Sequence, residues 1–148
     1  DGLPGAGNLL LFDNQGSAGM PPVYLEFMQG SRVLEIDLVS EEIVWQYDGA
    51  SGGRDYWSFF SCFISSARRL PNGNTMITEG LTGRIFEVTP ANEVVWEYIS
   101  PFVAQSQFGP ANSVFRAHRY GPDHPSLQGR ELDPTRHGNL NRLYGGSQ

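Results

Sequence analysis

The sequence writes nearly the same words twice. Residues 42 to 47 read EIVWQY and residues 93 to 98 read EVVWEY, which places Trp45 and Trp96 51 residues apart. The neighbours repeat as well: SRVLEID (31 to 37) is echoed by GRIFEVT (83 to 89), and GNLLLFDN (7 to 14) by GNTMITEG (73 to 80). A weaker echo, SSARRL (65 to 70) in FRAHRY (115 to 120), sets Ala67 on Ala117 and Arg69 on Arg119. A period near 50 residues belongs to repeat architectures, in which one unit cannot bury its apolar faces without the next.

The second copy is the complete one and defines the unit. FFSCFISSARRL (59 to 70) reads as a long strand, and PNGN (71 to 74) as a two-residue hairpin turn with positive φ angles. TMITE (75 to 79), RIFEV (84 to 88) and EVVWEY (93 to 98) follow as strands, separated by the turns GLTG and TPAN. Four antiparallel strands with tight turns make a meander, and both of its faces carry apolar side chains. Radial stacking of such sheets is the β-propeller. The fold class expected is therefore all-β: four-stranded blades, about two blades' worth, belonging to a larger propeller or a self-assembling unit. The two tryptophans would occupy equivalent sites in the outer strands of adjacent blades.

In this reading residues 1–120 hold two blades: strands within 8–47 for the first, 59–98 for the second, and an inner strand of a further blade at 112–120. The insertion at 15–30 carries the apolar run VYLEFM inside a Gly- and Pro-rich loop. Residues 121–148 read as an irregular tail held by Leu127, Leu132, Leu140, Leu143 and Tyr144.

Charge and composition remove several functions. A net charge of −6 and no basic run longer than Arg68-Arg69 argue against nucleic-acid binding. All ten basic residues are arginines, so Schiff-base chemistry and a phosphate-loop lysine are out; codon bias in a GC-rich genome accounts for this more readily than selection for bidentate oxyanion ligands does. The single Cys62 excludes an intrachain disulfide and is expected as a small buried residue. No run approaches a membrane span. No pair of histidines has metal-ligand spacing, and carboxylates at turns such as Asp13 and Asp37 do not cluster, so neither metal nor cofactor is expected.

The runs GLPGAGNLLLFDN, SRVLEID, EIVWQY, FFSCFISSARRLPNGNT, GRIFEVTP, EVVWEY and SVFRAHRY resemble the C-terminal blades of the arylsulfotransferase-like β-propellers, over roughly residues 2 to 120. That resemblance implies a secreted or periplasmic bacterial protein. It also implies sulfuryl transfer from a phenolic sulfate ester to a phenol through a sulfated histidine. The family's His-Asp pattern before Leu-Pro-Asn-Gly is absent: Ser65 and Ser66 stand there, with Phe115 and Arg116 in the later copy. The best remaining site is His118 and Arg116 on the inner strand, with Arg68, near a channel that would accept a small aryl sulfate. A hydrogen-bonded lining of that channel explains the same residues. His124 and His137 read as solvated side chains.

Two functions follow, a non-catalytic binding or structural propeller module and a sulfotransferase whose nucleophile comes mainly from outside this chain. Two blades cannot close a ring that needs about four. The expected partners are therefore further blades of the same polypeptide or identical chains joined head to tail, with strand 112–120 completing the next copy's blade as a closed oligomer or a filament.

Overall fold

The computed structural model describes residues 2–14, 30–107, 109–133 and 135. The chain divides into two compact units, Asp1–Ala117 and His118–Gln148.

All described strands lie in the first unit. β1 (Leu9–Asp13), β2 (Arg32–Ile36) and β3 (Ile43–Tyr47) form a three-stranded antiparallel sheet in chain order. β4 (Ser66–Arg69), β5 (Thr75–Glu79), β6 (Arg84–Val88) and β7 (Val94–Ile99) form a four-stranded meander. A short hairpin, β8 (Ala104–Ser106) and β9 (Gly109–Ala111), makes a third sheet that no periodicity in the sequence announces. Among the described residues there is no α-helix. The fold is all-β, built of blade-like antiparallel sheets.

Turn chemistry sets the connections. After β4 the Leu70 N–H donates to Asn74 O (2.8 Å) and the Gly73 N–H to Leu70 O (3.0 Å), with Gly73 at φ +88°. This three-residue loop replaces the expected two-residue turn. Pro71, with φ locked near about −65°, fits the first central position of a type I turn, and Gly73 then supplies the single left-handed residue. The turn after β6 repeats the design: Thr89 N–H donates to Glu93 O and Asn92 N–H to Thr89 O, both 2.9 Å, with Pro90 where Pro71 stood and Asn92 at φ +66°.

Register makes the repeat exact at residue level. Trp45 lies opposite Glu35 and Trp96 opposite Glu87, and each sheet slips register immediately afterwards, between Glu35 and Ile36 and between Glu87 and Val88. The two tryptophans thus occupy equivalent positions in the last strand of each sheet. Cross-strand pairing puts Leu10, Phe12, Val33, Glu35, Trp45 and Tyr47 on one face of the first sheet. Their counterparts Met76, Thr78, Ile85, Glu87, Trp96 and Tyr98 share one face of the second. The first sheet turns this face onto the opposite face of the second, so that Val33, Tyr47, Ile77, Phe86 and Val88 form one buried core with Phe59. The Phe59 ring stands 5.3 Å from those of Phe12 and Tyr47 and 5.7 Å from Phe86, edge-on to all three.

The expected long strand 59–70 is corrected by this structure. Only Ser66–Arg69 is strand, because Ile64 and Ser65 take φ +51° and +116° and break the extended run. Phe59 instead bonds through its carbonyl to Ser31 N–H (2.8 Å) and plugs the core. Cys62, in the same irregular stretch, is exposed rather than buried. Residues 112–120 are likewise irregular, not an inner strand; a strand needs a ladder, and the ladders of the described sheets do not include them. The insertion at 15–30 lies, apart from Gly30, outside the described residues.

In the second unit, the described residues include one 3-10 turn, Pro125–Leu127, capped by the His124 Nδ1, which accepts the Ser126 N–H at 3.2 Å. His124 is thus a cap rather than only a solvated side chain. Leu127 is half-buried and Leu132 exposed, while His137, Leu140, Leu143 and Tyr144 lie outside the described residues.

Candidate functional site

Where the two sheets meet, the core gives way to buried charge. Glu35 on β2 accepts the Asn8 Nδ2–H (2.7 Å) and forms an ion pair with Arg69 of β4. Arg69 also donates to Thr75 Oγ1 (2.7 Å) and Gly73 O (3.2 Å), and its guanidinium lies 5.0 Å from the centre of the Trp45 ring. Trp45 in turn donates Nε1–H to Pro90 O (3.1 Å), and Asn92 Nδ2 donates to Gln46 O (3.0 Å). Arginine suits this place because one planar fork serves a carboxylate and an aromatic face together. In the second sheet Glu87, at the position of Glu35, accepts from Asn72 (3.1 Å) and Asn74 (2.7 Å).

A second pair of charges also repeats. Asp13 and Arg32 face each other across β1 and β2 at 2.7 Å, and Glu79 and Arg84 across β5 and β6 at 3.2 Å. Arg84 reaches Glu97 too and lies 4.0 Å from the Phe86 ring, while its buried Nη2 has no hydrogen-bond partner among the described residues. Burial works to lower the Arg84 pKa, and its hydrogen bonds to Glu97 and Glu79 outweigh this and raise it. Burial raises the Glu79 carboxyl above its ordinary range despite the Phe60 N–H (3.2 Å) and Arg84.

The three residues singled out in the sequence fall in different surroundings. Arg68 is exposed on β4 and lines an open cavity of about 430 Å³ between β4 and the loop Leu3–Asn8, with Leu10, Glu35 and Arg69 in its walls. Among the described residues of those walls there is no histidine, serine or cysteine. Arg116 is exposed and is not part of the cavity wall. His118 belongs to the second unit, where its ring stacks near-parallel on Tyr120 at 6.4 Å, and Tyr120 in turn touches His124 at 4.3 Å.

Sequence reasoning missed Glu35, Arg69, Asp13, Arg32, Glu79 and Arg84 as structural centres. The signal was present: RVLEI and RIFEV repeat their arginine and glutamate at the same places, and a charge repeated at fixed register inside apolar strands marks a buried pair. The turn carboxylates are likewise committed. Asp37 accepts the Val39 and Ser40 N–H groups (2.7 and 3.0 Å), and these bonds, Ser40 first, hold its pKa below the usual range. Among the described residues, no group of three or more His, Cys, Asp or Glu side chains could hold a metal, and no helix is long and apolar enough to cross a membrane. No family model matches this chain, and neither does any curated protein or solved structure with which it was compared.

Proposed function

We propose that this chain is a non-catalytic module of a secreted, arylsulfotransferase-like β-propeller, and that its work is to present sheet faces on which further sheets dock. One observation carries the reading. The face formed by Met76, Thr78, Ile85, Glu87, Trp96 and Tyr98 repeats, position by position, the face of the first sheet that the second covers. Met76, Thr78 and Glu87 of this face are buried, and its outer strand is not: Tyr98 is 38% and Trp96 42% exposed, where Tyr47 is 2% exposed. Exposed aromatic residues set among apolar neighbours mark an interaction surface.

A second reading, sulfuryl transfer between phenols, draws on Arg68 at the cavity as an oxyanion ligand. It needs a nucleophilic imidazole beside that arginine, and the described cavity walls carry none. Two measurements separate the readings. An apolar-surface dye should bind the native chain and lose signal in Trp96→Asp and Tyr98→Asp. Incubation with a phenolic sulfate ester and a phenol should give no turnover. Dye binding indifferent to both substitutions contradicts docking by this face, and turnover abolished by Arg68→Ala establishes the enzyme instead.

A further inference from the structure

The geometry points to an acid-sensitive latch in the second unit: His124 holds the turn Pro125–Leu127 closed as a neutral imidazole and releases it on taking up a proton.

The local sequence, GPDHPSLQGR (121 to 130), sets the turn up. Pro125 follows the cap, where its missing N–H leaves no donor unsatisfied and its φ, fixed near about −65°, suits the first turn residue. The donors after it find backbone acceptors: Leu127 N–H donates to His124 O (2.8 Å), Gln128 N–H to Pro125 O (3.3 Å) and Arg130 N–H to Leu127 O (3.1 Å). Ser126 N–H instead donates to the His124 side chain, 3.2 Å from Nδ1. Asp, Asn, Ser and Thr are the usual caps, and their oxygens accept throughout the neutral pH range. An imidazole in that place does not.

The contact fixes the protonation state of the ring. A backbone N–H can only donate, so Nδ1 offers its lone pair and the ring proton sits on Nε2. A second proton must go to Nδ1, because an imidazolium carries N–H on both nitrogens and accepts at neither. Cap and charge therefore exclude each other. His124 is only half-buried, so the proton comes from solvent, and the hydrogen bond from Ser126 is what it displaces.

The surroundings favour release once the ring is charged. Arg130 donates Nε–H to Ser126 O (3.0 Å), which sets a like charge on the same turn. Tyr120 lies 4.3 Å from the His124 ring and is 54% exposed, and an imidazolium is attracted to an aromatic face, so the charged side chain has another partner within reach. Tyr120 also stacks with His118, at 6.4 Å, and Asp123 precedes His124 on an exposed stretch. Opening the turn uncovers Leu127, which is half-buried while it is closed.

NMR of the full chain, titrated between about pH 8 and pH 5, tests the latch. The Ser126 amide resonance should shift with the same midpoint as the His124 ring protons. The amide-to-amide contacts from Ser126 to Gln128 that mark the closed turn should weaken together with it, the closing equilibrium falling about fivefold, the usual effect of losing a cap. His124→Asn, which caps without titrating, should stay closed at both ends of the range, and His124→Ala should be open at both. His118→Asn should leave the response in place. A turn that keeps its amide contacts while His124 is charged overturns the latch; so does a His124→Asn variant that opens in acid, or an opening that disappears in His118→Asn.

Discussion

Tyr47 and Tyr98 are written in the same words, face the same way on the last strand of their sheets, and differ in one respect: a second sheet lies over Tyr47. The phenol of Tyr47 is 2% exposed, and burial raises its pKa; Tyr98 is 38% exposed. The tryptophans tell the same story, Trp45 held between Arg69 and Pro90, Trp96 stacked at 6.4 Å on Tyr98 and 42% exposed. In a repeat protein, burial is a property of the neighbour and not of the repeat. Identical residues are therefore packed at one position and exposed at the next.

That comparison is sharpened most by core truncation. Tyr47→Ala should cost about 3–4 kcal/mol, the loss expected of a fully packed aromatic, whereas Tyr98→Ala should cost less than about 1 kcal/mol; chemical denaturation of both variants measures the gap. Equal losses would break the comparison. Next in size, Arg69→Ala strands the buried Glu35 carboxylate and should cost about 3 kcal/mol, while Arg69→Met with Glu35→Leu should recover most of it. Smaller again, Asn74→Ala removes one of the two amides on Glu87 and should cost about 1 kcal/mol.

The pH dependence has a defined sign. Glu79 has its folded pKa raised above the ordinary glutamate value of 4.5, so the folded state holds its proton more tightly than the unfolded chain. Its contribution to stability is complete below that ordinary value and is lost as pH rises through the folded value. Glu79→Gln should therefore flatten the fall in stability as pH rises above the ordinary glutamate value, read as the midpoint of urea unfolding; an unchanged slope would assign the pH dependence to other groups.

The strands of the two meanders were legible because they are the parts that repeat, with alternation and turn residues agreeing. What failed was decided outside the local sequence. FFSCFISS looks like a strand, but Ile64 and Ser65 adopt left-handed backbone so that Phe59 can reach three aromatic rings from two sheets, a tertiary demand that overrides β-propensity. PNGN reads as a two-residue turn and forms a three-residue one, because Pro71 cannot take the positive φ of a type I′ turn and leaves Gly73 alone in the left-handed region. Arg68 was legible as a cation on an inner strand, and the cavity beside it was not, since the Leu3–Asn8 loop that walls it is far away in sequence. Arg116 and His118 read as inner-strand residues from the echo of SSARRL in FRAHRY, but the backbone at 112–120 is irregular, since a weak echo carries residue types and not the ladder that makes a strand.

The most direct test follows two tryptophans one at a time. With Trp57 replaced by Phe, Trp96→Phe leaves Trp45 as the only indole, and Trp45→Phe leaves Trp96. Acrylamide quenching of each, across a protein concentration series, reports which face is covered. The account predicts that Trp45 is protected and that Trp96 is open to quencher in dilute solution. A Trp96 as protected as Trp45 there would contradict it.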